Sequence, residues 1–116
     1  MNRLLGILTA TAAAFVFSAT AHAAGDAAAG QKLAVQRGCT ACHGKDGNST
    51  NPQYPRLAGQ YPDYLAQALH EYQSGARKNA IMNGMAKGLS AGEIQDLAAY
   101  FASQKGLVPL TQPDFH

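Results

Sequence analysis

A chain of 116 residues with nine Lys or Arg against seven Asp or Glu has room for one domain, and its net charge of +2 offers none of the basic patches that nucleic acid selects. Its two cysteines fall well short of the four N or S ligands of a structural zinc site.

In chain order, "MNRLLGILTATAAAFVFSATAHA" comes first, with a basic start at Arg3, an apolar run from Leu4 to Phe17 and the small-residue ending Ala21-His22-Ala23. This is the layout of a secretory signal peptide cleaved after Ala23. The apolar run is shorter than the ~20 residues of a spanning helix, which disfavours the alternative of a retained anchor. Residues 1–23 are therefore read as a signal peptide and 24–116 as one exported, periplasmic domain without a membrane span. Chains of that size bury only about 60–65% of their unfolded surface, so a disulfide, a metal or a large apolar cofactor would help. An oxidising compartment also leaves few thiols free, so Cys39 and Cys42 should be bonded to something.

Three segments read as helices and almost nothing as strand. The first spans about Ala27 to Arg37, capped by Asp26 and stopped by Gly38. The second starts at Pro62 and ends at Gly75. Tyr61, Tyr64, Leu65, Ala68, Leu69 and Tyr72 form its i, i+3, i+4 stripe. The third opens on a capping box, Ser90 with Glu93, with Leu89 and Ile94 placed for a hydrophobic staple. Ile94, Leu97, Ala98 and Phe101 then line one face. Residues 106–116 have no period and read as an irregular tail.

Two long loops remain, Gly44–Gln60 and Gly75–Leu89. Loops of that length in a small domain usually wrap or bind something. Tyr54, Leu57, Ile81, Met82 and Met85 sit on them and need an apolar partner, which a flat, apolar cofactor would supply. The adjacent cations Arg77 and Lys78 read as a solvated stretch.

Cys39-Thr40-Ala41-Cys42-His43 is a C-x-x-C-H sequence, the pattern of c-type haem attachment. Thiols at i and i+3 share one side of a helical turn and can reach two vinyl groups of one porphyrin. The imidazole at i+4 can then ligate the iron. The rival readings have less support: a zinc site would have to recruit His70 or His116, far off in sequence, a thioredoxin-like dithiol needs βαβ patterning, and a plain disulfide fares no better than the dithiol. For the opposite face of the iron the residues offer His70, His116, Met82, Met85 or an open position. His70 sits beside the apolar stripe and reads as surface; His116 is terminal. The methionines of "IMNGMAKGLS" are the stronger candidates, although methionine is more often a core filler.

With these residues in place, the chain resembles the class I cytochromes c, above all the short soluble periplasmic kind and one half of the dihaem cytochrome c-four group. "AGDAAAGQKLA", "CTACHGKDGNS", "YPRLAGQ", "IMNGMAKGLS" and "DLAAYFASQ" carry the resemblance along the whole of 24–116. It implies an all-α class I cytochrome c fold, three main helices and two long loops wrapped around one covalently bound haem c. It assigns Cys39 and Cys42 to the thioethers, His43 as proximal ligand, and Met82 rather than Met85 as distal ligand. Pro55 matches the proline whose carbonyl accepts from the proximal histidine, Leu57 an apolar residue packed on the haem, and Gly59 a turn glycine. Gly30 matches the small residue where the first and last helices cross, beside Leu97 and Tyr100. Arg56, Gln60, Tyr54 and Asn48 are candidates for the haem propionates and equally read as plain loop residues.

The function implied is one-electron transfer rather than catalysis, by a monomer docking transiently on redox proteins: a terminal oxidase, a quinol-oxidising complex or a dehydrogenase. Two other readings stay beside it: an open-site haem protein for gas binding or peroxide chemistry, and an electron-carrying subunit of a periplasmic dehydrogenase.

Overall fold

Short-range capping fixes where the helices begin. In the computed structural model, which describes residues 24–107, the Asp26 carboxylate accepts from the Ala28 and Ala29 N–H groups at 2.9 and 3.2 Å and opens α1 (Ala27–Gln36). Such a cap contributes about 1 kcal/mol. Gly38, left-handed at φ +76°, turns the chain directly into the single helical turn α2 (Cys39–His43). Then follow α3 (Pro62–Ser74), α4 (Ala80–Ala86) and α5 (Ala91–Ser103), with no strand among the described residues. The expected signal peptide and the end of the tail lie outside the described residues.

α1 packs most extensively on α5, α3 packs on both α5 and α4, and α2 hangs from α1. The α1–α5 crossing is close enough that a Cβ on Gly30 would overlap the Asp96 carbonyl and Tyr100 Cβ. Tyr100 is thus a neighbour, as expected, while the backbone of Asp96 rather than Leu97 makes the tightest approach. Gly25 meets the Gln95 carbonyl in the same way, a second close approach that the sequence reading missed. Ile94 and Leu97 are fully buried beneath this crossing, with Leu65, Leu89, Tyr100 and Phe101 around them.

The capping box forms as expected: Ser90 Oγ accepts from Glu93 N–H at 3.1 Å and Glu93 Oε2 accepts from Ser90 N–H at 2.8 Å. The other Glu93 oxygen takes Arg37 Nη2 at 2.5 Å, tying the end of α1 to the start of α5. The Arg37 hydrogen bond, helped by the Ser90 N–H, holds the Glu93 carboxyl below the usual glutamate range. A depressed carboxylate stabilises the fold above its unfolded-state pKa, and that contribution fades as pH falls through the folded value. Glu93→Gln keeps the reach to Ser90 but loses the ion pair. It should melt slightly lower than the parent at pH 7 and converge with it near pH 3, as thermal melts at the two pH values would read.

The segment after α2 folds on itself, because the Gly47 carbonyl accepts from Leu57 and Ala58 N–H at 2.8 and 3.2 Å. Asn48 Nδ2 donates to the Lys105 carbonyl at 2.7 Å and Leu107 N–H donates to Ala58 at 2.7 Å, closing the loop onto the chain beyond α5. Gly59 sits at φ +75°, as a turn glycine must.

The second long loop differs from expectation, since it contains α4. Asn79 Oδ1 caps it, accepting from Ile81 and Met82 N–H at 3.1 and 3.0 Å. A helix of seven residues gains little from its own backbone bonds. Side-chain bonds to neighbouring segments hold it: from within α4, Asn83 Nδ2 donates to the Tyr72 and Arg77 carbonyls at 2.7 and 2.9 Å, and from α3, Gln73 Nε2 donates to the carbonyls of Ala86 and Leu89 at 3.1 and 2.6 Å.

Candidate functional site

One turn of helix, flanked by left-handed Gly38 and by Gly44 at φ +87°, presents Cys39, Cys42 and His43. Both thiols are free and partly buried. Burial pushes the Cys39 thiol above its ordinary value, so in this environment it stays protonated.

Cys39 and His43 open on an apolar cleft of about 840 Å³, its mouth included. Leu57 enters from the long loop, Leu65, Leu69 and Tyr72 from α3, Met82 and Met85 from α4, and Leu97 and Phe101 from α5. A second opening adjoins it, sharing Cys39, His43, Pro55, Tyr72, Met82 and Met85 and adding Cys42, Tyr54 and Ile81. The fold thus brings both cysteines, the histidine and both methionines to one place.

His43 is only 6% exposed, and its Nδ1 lies 2.8 Å from the Pro55 carbonyl oxygen. A carbonyl oxygen can only accept, so Nδ1 carries a proton and Nε2 is the nitrogen left for a metal. Among the described residues Nε2 has no hydrogen-bond partner, which is the state of an imidazole ready to bind a metal. The Tyr54 ring stands edge-on to the imidazole, with centroids 6.5 Å apart.

Met82 and Met85 lie three residues apart on α4 and both border the two openings. Met82 sits in the capped first turn and is partly buried; Met85 is 40% exposed and lies near Gly38. His70 is exposed and lines neither opening; His116 lies outside the described residues. Of the residues considered for the propionates, Tyr54 borders the second opening. Asn48 and Arg56 bind one another instead, Nη2 to Oδ1 at 2.7 Å, and Gln60 Oε1 accepts from Tyr61 N–H at 2.9 Å.

Arg77 is exposed on a loop, as the sequence suggests, and it also borders the first opening. Its position follows from contacts that a linear reading does not contain: the guanidinium stacks on Tyr72, five residues earlier, at 5.0 Å.

An apolar cleft, two free thiols and a buried imidazole with an open Nε2 fit a covalently attached haem. The comparisons agree. The cytochrome c family profile matches residues 27–105. Cytochrome c4 of Pseudomonas aeruginosa is 46% identical over 98% of this chain and 54% of its own length. Cytochrome c-554(548) of Halomonas halodenitrificans is 48% identical over 71% of this chain and all of its own. The crystal structure of reduced recombinant cytochrome c4 from Pseudomonas stutzeri superposes with a TM-score of 0.65 at 48% identity, covering 73% of this chain and 48% of that one. The chain spans about half the length of the cytochrome c4 relatives it matches. It belongs to the cytochrome c family and carries one covalently bound haem c.

Proposed function

We propose that this chain is a periplasmic one-electron carrier, its mature domain 24–116 released from a signal peptide 1–23. Cys39 and Cys42 would hold the haem through thioethers, with His43 Nε2 and the Met82 sulfur as the two iron ligands. The observation that supports this most strongly is the Nδ1 contact of His43 with Pro55, which leaves Nε2 available at a wall shared with Met82. When bound, haem supplies a ferric/ferrous couple.

The chain's own residues account for the rest. Burial and the Pro55 carbonyl fix the His43 ring. The Asn79 cap and the two Asn83 bonds fix the start of α4 and with it Met82. Ligands held the same way before and after an electron arrives keep reorganisation small. Leu57, Leu65, Leu97 and Phe101 keep water from the cleft and so favour the less charged, reduced state. Ile81 and Met85, 56% and 40% exposed at the rim, offer an apolar patch for brief docking. The near-neutral chain would steer partners only weakly. Those partners are redox proteins that donate or accept single electrons: a dehydrogenase or quinol-oxidising complex on one side, a terminal oxidase on the other. Among the described residues no helix is long and apolar enough to cross a membrane.

Absorption spectra of the exported holoprotein, ferric and ferrous, test the ligand set. The parent should be low-spin, unmoved by carbon monoxide, and show the ferric sulfur-to-iron band. Met82→Ala should lose that band and bind carbon monoxide, while Met85→Ala keeps the parent spectrum. A parent that is high-spin and binds carbon monoxide would replace the carrier reading with a gas-binding or peroxide-reactive site.

A further inference from the structure

Haem is amphiphilic: its ring suits an apolar cleft, but its two propionates are carboxylates that need a cation or hydrogen-bond donors at the edge. Among the described residues that line the two openings, Arg77 is the one with a fixed positive charge, and none is a carboxylate.

Arg77 is built in rather than loosely placed. Its N–H donates to the Glu71 carbonyl at 3.1 Å and its own carbonyl accepts from Asn83 Nδ2 at 2.9 Å, so the backbone is held from α3 and α4. Its guanidinium lies 5.0 Å over the Tyr72 ring, and Nη1 donates to the Tyr64 hydroxyl at 3.4 Å, a long bond. Tyr64 and Tyr72 both line the cleft. The guanidinium carries five donors and forms no ion pair among the described residues. A cation stacked on an aromatic wall, with donors to spare at the mouth of the cofactor cleft, is arranged to receive an anion.

We propose that Arg77 holds a haem propionate at the mouth of the cleft, with the Tyr64 hydroxyl beside it. This rests on the haem reading above and adds a positioning residue to it. Asn48 and Arg56, two of the candidates for that role in the sequence, are already engaged with each other. A cation near the iron disfavours the more positive ferric state, and its loss leaves a propionate charge uncompensated; both effects lower the midpoint potential.

The test is the midpoint potential of the holoprotein for Arg77→Lys, Arg77→Met, Tyr64→Phe and Lys78→Met, each checked for the parent's absorption spectrum. Lys78 is the next residue and lines neither opening. Arg77→Met should show a clear fall in potential, Arg77→Lys should stay near the parent, Tyr64→Phe should fall less, and Lys78→Met should barely move. A parent-like potential in Arg77→Met overturns the proposal. So does an equal fall in Arg77→Lys and Arg77→Met, which would mean that Arg77 shields the cleft by stacking, or an equal fall in Lys78→Met, which would mean a diffuse charge effect. Each of these outcomes leaves the ligand reading intact, because that reading is judged on the parent spectrum. A parent without the His/Met spectrum fails the ligand reading instead.

Discussion

Exported with Cys39→Ala and Cys42→Ala together, and so without attached haem, the chain is expected to be largely unfolded. The helices pack on one another along one side only and leave much of their apolar surface facing the cleft. Ile94 and Leu97 are the largest fully buried side chains, while Leu57, Leu69 and Tyr72 are only partly covered by protein. Leaving two or three large apolar side chains in water forfeits about 1.5–3 kcal/mol each. A domain of this kind has only ~5–15 kcal/mol in total. Far-UV circular dichroism should show little helix at 25 °C and no cooperative thermal transition, whereas the holoprotein melts sharply. A cooperative melt of the double variant would refute this and imply that the cleft collapses into a core of its own.

Gly30→Val should have the largest effect of any single change away from the haem. At Gly30 the obstacle is the Asp96 carbonyl of α5, a backbone atom inside a helix, which cannot swing aside as a side-chain tip can. Parting α1 from α5 would also uncover Ile94 and Leu97. Overpacking typically costs about 1–3 kcal/mol, and a backbone clash belongs at or above the upper end. Gly30→Ala should show the same loss in milder form. Gly84→Ala is the counterpart: a Cβ there meets nothing within 4 Å, so the change should be neutral or stabilise by up to ~1 kcal/mol through helix propensity. Denaturant titration of the holoproteins in one redox state would read all three.

These effects also mark what a linear reading can reach. Asp26, Pro62 and the Ser90–Glu93 box lie within a few residues of the backbone groups they serve, so sequence alone places those helix starts. The five-residue motif places the thiols and His43, and the twelve-residue step from His43 to Pro55 came with the family resemblance. α4 was hidden because Asn83 and Gly84 look like helix breakers, while the bonds that hold it come from Gln73, ten or more residues away. The Asn79 cap was the one local sign of it. Arg77 is exposed as read, but its place beside the cleft was hidden because its stacking partner belongs to the preceding helix, and Gly25 gave no sign that the backbone of α5 passes over it. Tyr61 fitted the apolar stripe of α3, yet it stands at the N-cap and is 60% exposed.

The bond between His43 and Pro55 has a consequence for mutational scans. Its acceptor is a main-chain oxygen, and no side-chain replacement deletes it; Pro55→Ala leaves the oxygen in place. Position 55 should therefore look tolerant in an alanine scan although the imidazole depends on it. The sensitivity is displaced to residues that set the path of the loop, such as Gly47, whose carbonyl bonds Leu57, and Asn48, which ties the loop to Lys105. Lesions there would show first as a change in the colour of the protein, before any change in its melting.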